Sequence, residues 1–208
     1  LLLPHSSEKP PLVIFIAGSG PTDRDGNQSF LKNDSHKKLA RGLAKEGIAS
    51  FRFDKRILQV QKLNLREDEF RFEDFVTDAV TVLDHFEKSD HFDKIIILGH
   101  SQGSLVGMLA GKEKADAFIS IAGAGRPIDS IIVDQIAQQM PGFRESSRQA
   151  FDEMRESGST SSYNPFLESI FRPSVQPFML SWMLYDPAKE IAELDMPALI
   201  INGTNDFQ

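Results

Sequence analysis

The residues best suited to chemistry lie in one short stretch, Gly99-His100-Ser101-Gln102-Gly103. A serine hydroxyl is a weak nucleophile until a base takes its proton and nearby donors hold the negative charge that develops during attack on a carbonyl. The pattern Gly-x-Ser-x-Gly says little alone, so its setting decides. The run from Lys94 to Leu98 is rich in isoleucine and predicts a strand, while Leu105, Val106 and Leu109 predict a helix from Gln102 onward. A serine on so sharp a strand-to-helix turn adopts unfavourable backbone angles. Glycines two residues to either side remove the side chains that would strike the strand and the helix. The hydroxyl is then presented at the carboxyl edge of a sheet, with a helix N-terminus behind it that favours negative charge. The competing reading is a glycine-rich turn with an incidental serine. His100 should point away from the Ser101 side chain, which makes it a packing residue rather than the base.

A tetrahedral intermediate needs two N–H donors aimed at its oxyanion. The first strong strand runs into Ala17-Gly18-Ser19-Gly20-Pro21, whose Ser19 N–H is one candidate; Gln102 N–H is the other. Gly18 and Gly20 keep this loop slim enough for its backbone to approach a substrate, although a plain glycine turn would look the same. Further on, Pro197-Ala198-Leu199-Ile200-Ile201-Asn202-Gly203-Thr204-Asn205-Asp206 reads as a strand and a loop carrying an aspartate. Enzymes with this strand–turn–helix serine use the chain order serine, acid, histidine. Asp206 therefore stands where the acid that orients the base belongs, with Asp129 as the less favoured alternative. His5, His36, His85, His91 and His100 all precede it, and Gln208 ends the sequence. The expectation is a chain cut short before its base.

The elements that must position these groups are legible as a rhythm. Apolar runs at 12–17, 48–53, 95–98, 117–122 and 198–201 suit strands covered on both faces of a parallel sheet. Helical patterns lie between them. Asp34 or Ser35 is placed to cap a helix bearing Leu39, Leu43 and Ala44 and ended by Gly47, and Phe72 to Phe86 repeats apolar residues at helical spacing. Gly103, Gly107 and Ala110 would let the helix after Ser101 lie close to the sheet. Strand alternating with helix predicts an α/β fold with right-handed crossovers. The rhythm breaks from Arg126 to about Asp186, where prolines, a Ser/Thr/Gly cluster at 157–162 and short helical patterns replace strands. The expected organisation is a sheet domain of residues 1–125 and 187–208 with a helical cap insertion at 126–186. Phe178 and Trp182 of the insertion are candidates for apolar contact with a substrate, or for packing alone.

Of the 208 residues 40% are hydrophobic and 25% charged, in the range of ordinary globular proteins. The net charge of −7 comes without any basic run, so nothing suggests a nucleic-acid partner. With no cysteine there is no disulfide framework, cysteine nucleophile or thiolate metal site, and the compartment, cytoplasmic or exported, stays open. No histidine–carboxylate cluster has metal-ligand spacing, and no apolar run is long enough to span a bilayer. The start, Leu1-Leu2-Leu3-Pro4, reads as a trimmed or processed terminus.

Ile16-Ala17-Gly18-Ser19-Gly20-Pro21-Thr22-Asp23-Arg24-Asp25-Gly26-Asn27 closely resembles the signature loop of bacterial α/β-hydrolases described as carboxylesterases, related to the serine aminopeptidase group. Gly99 to Gly103, Tyr185-Asp186-Pro187 and Gly203 to Asp206 follow in that family's order. The resemblance covers nearly the whole chain. It implies hydrolysis of short-chain or aromatic acyl esters, a small-molecule substrate and no cofactor. It also implies Ser101 as nucleophile, Asp206 as acid, and Ser19 and Gln102 N–H as the oxyanion hole. Two departures stand out. The C-terminal strand and helix bearing the family's histidine are missing, and Phe53-Asp54-Lys55-Arg56 is followed by Ile57, where relatives carry glycine and a short Gly/Ser-rich loop. A peptidase or thioesterase of the same fold is the nearest alternative, and a non-catalytic binding protein of hydrolase ancestry is the more distant one.

Overall fold

All five apolar runs become strands of one sheet in the computed structural model, which describes residues 1–5 and 9–206. In chain order the larger elements begin with β1 (Leu12–Ile16), α1 (Ser35–Lys45), β2 (Ala49–Arg52), α2 (Val60–Leu63) and α3 (Phe72–Glu87). Next come β3 (Ile95–His100), α4 (Gln102–Gly111), β4 (Ala117–Ile121) and α5 (Ile128–Gln139). They end with α6 (Arg144–Ser157), α7 (Glu168–Phe171), α8 (Gln176–Trp182), α9 (Pro187–Ala192) and β5 (Ala198–Ile201). The sheet is parallel throughout, in the order β2-β1-β3-β4-β5.

Two compact units emerge. The first comprises residues 1–5, 9–59, 75–123 and 189–206 and contains the sheet; the second comprises 60–74 and 124–188. In the first, β1 is buried along its whole length, as a central parallel strand requires. Val13 and Phe15 join Ala40 of α1 and Leu98 of β3 in one core cluster. On the opposite side α4 packs against β1, β3 and β4. This helix is apolar nearly all round and correspondingly buried. The close approach expected from its small residues is realised: a methyl group added at Gly107 would lie 2.7 Å from Ile97 Cγ2.

The run 198–201 forms β5, paired in parallel with β4, and its four residues are exposed in this chain. One expectation is corrected. Helix α1 starts at Ser35 as expected, yet neither Asp34 nor Ser35 caps it through a side chain. Asp34 is in the left-handed region (φ 54°), and its carboxylate accepts from Asn27 Nδ2. The unpaired N–H groups of His36 and Lys37 donate instead to the Asp25 carbonyl (3.1 and 3.4 Å). Gly47, at φ 81°, ends the helix as its position predicts. The departure after Arg56 takes the form of a 3₁₀ turn, Arg56–Gln59, running into α2.

The second unit is helical. Among its described residues there is no strand, in keeping with the loss of strand pattern after Arg126. Phe151 and Phe171 meet with ring centroids 4.7 Å apart, and both are fully buried. The Gln176 amide stitches the Ser/Thr/Gly stretch to this core: its Nε2 donates to the carbonyls of Thr160 (2.8 Å) and Phe171 (2.6 Å), and its Oε1 accepts from Thr160 N–H. Residues 60–74 join the unit through Phe72 N–H donating to Ser181 Oγ (2.8 Å) and Tyr185 Oη donating to Glu73 (2.9 Å).

Candidate active site

The carboxyl edge of the sheet gathers the groups singled out above. Strand register sets Ile16 beside Gly99, His100 beside Ile121, and Ile121 beside Ile201. The loops after β1, β3 and β5 therefore leave the sheet on the same edge, the edge at which ligands of open parallel sheets bind.

Ser101 is the single residue between β3 and α4, with φ 52° and ψ −120°. For a residue with a Cβ this conformation costs of order 1–3 kcal/mol and persists only when its surroundings over-determine it. Those surroundings are visible. Ser101 N–H donates to Ile121 O (2.9 Å), and its carbonyl accepts from Ser104 N–H (2.9 Å). A Cβ on Gly99 would lie 2.3 Å from Gly103 O, and one on Gly103 would lie 2.2 Å from Ile16 O. The two glycines let β3, α4 and the end of β1 meet backbone to backbone. The serine side chain makes no capping bond to α4, so its hydroxyl is not committed to the helix.

The loop after β1 is held at both ends. Ser19 O accepts from Thr22 Oγ1 (3.1 Å) and Gln28 Nε2 (3.0 Å). Gly20 is in the left-handed region at φ 75°, and Gly18 lies against His100, whose Nδ1 would be 2.9 Å from an added Cβ. The charged residues that follow are spent on holding the loop. Asp23 accepts from Asp25 N–H and Asn27 N–H, Asp25 pairs with Arg52 (2.6 Å), and Arg24 grips Asp54 with its guanidinium and its own N–H.

The His100 ring meets that of His36 edge-on at 6.0 Å. Desolvation lowers its pKa even though the residue as a whole is exposed, while the charge of Asp206 works the other way. The deeper His36 is pushed down to about 4, first by burial and then by His100 and Arg52. Among the described residues, no histidine hydrogen-bonds the Ser101 hydroxyl. Asp129, the other acid considered, is buried in the helical unit with its Oδ2 taken by both Arg148 and Arg155 (2.8 Å each). Phe178 and Trp182 lie in the same unit, in an aromatic cluster where Trp182 stacks on Phe72 at 5.4 Å. Among the described residues, no group of three or more His, Asp or Glu side chains is arranged to hold a metal ion, and no helix is long and apolar enough to cross a membrane.

One residue escaped the reading of the sequence. Lys55, three residues beyond β2, is buried, and its Nζ donates to Gly18 O and to Gln102 Oε1, both at 2.8 Å. The ammonium also sits 4.3 Å from the centre of the Phe75 ring. Burial alone pushes it down to about 7. The one available signal was a lysine two residues beyond Phe53, in the stretch Phe53-Asp54-Lys55-Arg56 that follows the strand.

Comparison with known proteins agrees with this architecture. The model of the family described as Hydrolase_4, serine aminopeptidase, S33, matches residues 34–165. The whole chain is 28% identical to the esterase EstD of Thermotoga maritima but spans 49% of that protein's length. Est1E from Butyrivibrio proteoclasticus superposes with a TM-score of 0.58 at 19% identity, over 97% of this chain and 70% of Est1E. The esterase EaEST from Exiguobacterium antarcticum gives 0.51 at 13% identity, over 93% of this chain and 74% of its own. The acylaminoacyl peptidase of Pyrococcus horikoshii gives 0.51 at 16% identity, over 96% of this chain and 28% of its own. At such identities the solved structures speak to the fold, and the family match, covering more than half of the residues, speaks to descent: this chain belongs to the serine aminopeptidase S33 family and has the α/β-hydrolase fold.

Proposed function

We propose that the protein containing this chain is a serine carboxylic-ester hydrolase acting through an acyl-enzyme. The observation that carries this reading is the backbone of Ser101, held at φ 52° and ψ −120° by contacts that leave its side chain free of the helix. A strained residue so firmly imposed needs a use, and presenting a hydroxyl at the sheet edge is one.

In this reading Ser101 Oγ attacks the acyl carbonyl carbon while a histidine takes its proton. The N–H groups of Ser19 and Gln102 hold the oxyanion. When the tetrahedral intermediate collapses, the ester C–O bond breaks and the histidine returns the proton to the leaving alcohol. Water, activated by the same histidine, then cleaves the acyl-enzyme. Asp206 orients the histidine and stabilises its protonated form. The chain spans about half the length of EstD, and the reading draws the histidine from sequence outside these 208 residues. The esterase name of that relative supports an ester substrate, and the short-chain and aromatic acyl esters are the class to try first. The family's description as serine aminopeptidases supports a second reading, cleavage of an aminoacyl amide by the same steps.

The test uses the protein expressed from its full reading frame, with p-nitrophenyl acyl esters and aminoacyl arylamides. Ser101→Ala is expected to lower ester kcat/KM by at least about 1000-fold. Undiminished turnover in the variant overturns the assignment, and a higher kcat/KM on the arylamide than on any ester selects the peptidase.

A further inference from the structure

We infer that Lys55 is a positioning residue of the oxyanion hole, fixing the direction of the Ser19 N–H through the other side of the same peptide bond. The inference rests on the esterase reading above and adds a residue to its machinery.

The argument begins with one planar group. The Gly18 carbonyl and the Ser19 N–H belong to a single peptide unit, and in a trans peptide they point in opposite directions. Lys55 Nζ donates to that carbonyl at 2.8 Å. An N–H on the far side must therefore point away from Lys55. The next peptide is also held, since the Ser19 carbonyl takes Thr22 Oγ1 and Gln28 Nε2. Without Lys55, a loop flanked by Gly18 and Gly20 has the backbone freedom to turn the Gly18–Ser19 peptide over, carrying the donor out of the site.

The second donor is tied to the same atom. Lys55 Nζ also donates to Gln102 Oε1 at 2.8 Å, and the backbone N–H of Gln102 is the other proposed oxyanion donor. One ammonium thus spans the loop after β1 and the first residue of α4, 37 and 47 residues away in sequence. A hydrogen bond to a carbonyl also polarises its amide and makes the N–H a stronger donor.

The surroundings suit this task and not general ion pairing. The cavity at Lys55, lined by Ile16, Ala17, Phe53, Phe75 and Val106, offers ≈ 10 Å³ to the centre of a water, room for about one molecule. Asp78, the carboxylate that also lines it, is gripped by Arg56 at 2.6 and 2.8 Å. Lys55 is thus a desolvated cation without an acidic partner among the described residues, a costly arrangement of the kind that collects at functional sites. Both of its protonation states carry the two N–H bonds the arrangement needs.

The experiment compares the full-length protein with Lys55→Met, which keeps the length of the side chain and removes its donors. The expected result is a kcat lower by about 10- to 100-fold, less than for outright loss of an oxyanion donor, with KM within about twofold and a cooperative melt retained. Should the methionine variant not fold, Lys55→Leu, which likewise leaves no donor in the cavity, carries the same comparison. A folded variant that keeps kcat within threefold overturns the inference, as does one whose loss lies entirely in KM. The Gly18 carbonyl ¹³C resonance supplies a readout independent of turnover: it should move upfield in the variant, and an unmoved resonance overturns the inference. If the parent shows no Ser101-dependent turnover, the esterase reading has failed, and the carbonyl resonance alone decides whether Lys55 fixes the peptide.

Discussion

At the Ser101 end of the sheet's carboxyl edge an added methyl group meets backbone atoms at 2.2–2.3 Å, whereas at Gly203, before Asp206, the nearest atom would be Asp206 Cβ at 3.9 Å. The strands beneath the two ends differ in the same sense. β1 is buried throughout, while Leu199, Ile200 and Ile201 of β5 are 53%, 58% and 47% exposed. Ser101 and the N–H groups of Ser19 and Gln102 thus lie where two buried strands, a buried helix and a buried lysine confine the backbone to one arrangement. Asp206 follows β5, after a turn in which its N–H donates to Gly203 O at 3.0 Å. Backbone strain such as that of Ser101 persists where its surroundings over-determine it.

The sharpest way to break this contrast is to put the same methyl group at each end. Gly103→Ala should cost about 3–5 kcal/mol, because its Cβ lands on the Ile16 and Ala17 carbonyls and backbone must move. Gly203→Ala should change stability by no more than about 0.5 kcal/mol. Chemical denaturation of both variants checks this, and equal costs would mean that the two ends are equally confined.

A smaller effect concerns the charge at the confined end. Lys55 has a folded pKa of about 7 against an ordinary 10.5. Between these values the unfolded chain binds more protons than the folded one, so stability rises with pH through this window. The contribution is complete above the unfolded value and is lost as pH falls towards 7. Relative to Lys55→Met, the parent should gain about 2 kcal/mol between pH 7 and pH 9, close to the linkage slope for one proton. Parallel denaturation curves at the two pH values measure the difference, and a gap that does not change with pH would mean that the buried amine is not desolvated. The smallest effect is the release of strain itself. Ser101→Gly should raise stability by about 1 kcal/mol while removing reaction with a fluorophosphonate probe. A destabilised glycine variant would show that the serine backbone is not strained.

Much of this was legible before any coordinates. The Gly-x-Ser-x-Gly stretch, the isoleucine-rich strand before it and the apolar helix after it are local patterns, and local sterics decide them. The five strands followed from continuous apolar runs, and the helical character of 126–186 from their absence. One local reading failed for a non-local reason. Helix α1 is capped by a carbonyl of the preceding loop rather than by its own Asp34 or Ser35.

The sequence alone therefore determined the sharp turn at Ser101 and the order of strands and helices, because each depends on neighbours a few residues away. Only the tertiary structure decided how the site is held. Lys55, Gly18 and Gln102 are far apart in the chain and share no motif, and they meet because the parallel pairing of β2, β1 and β3 brings three loops to one edge. A buried lysine looks like any other lysine until the fold removes its water, and that removal is a property of the packed sheet and helices rather than of the residue.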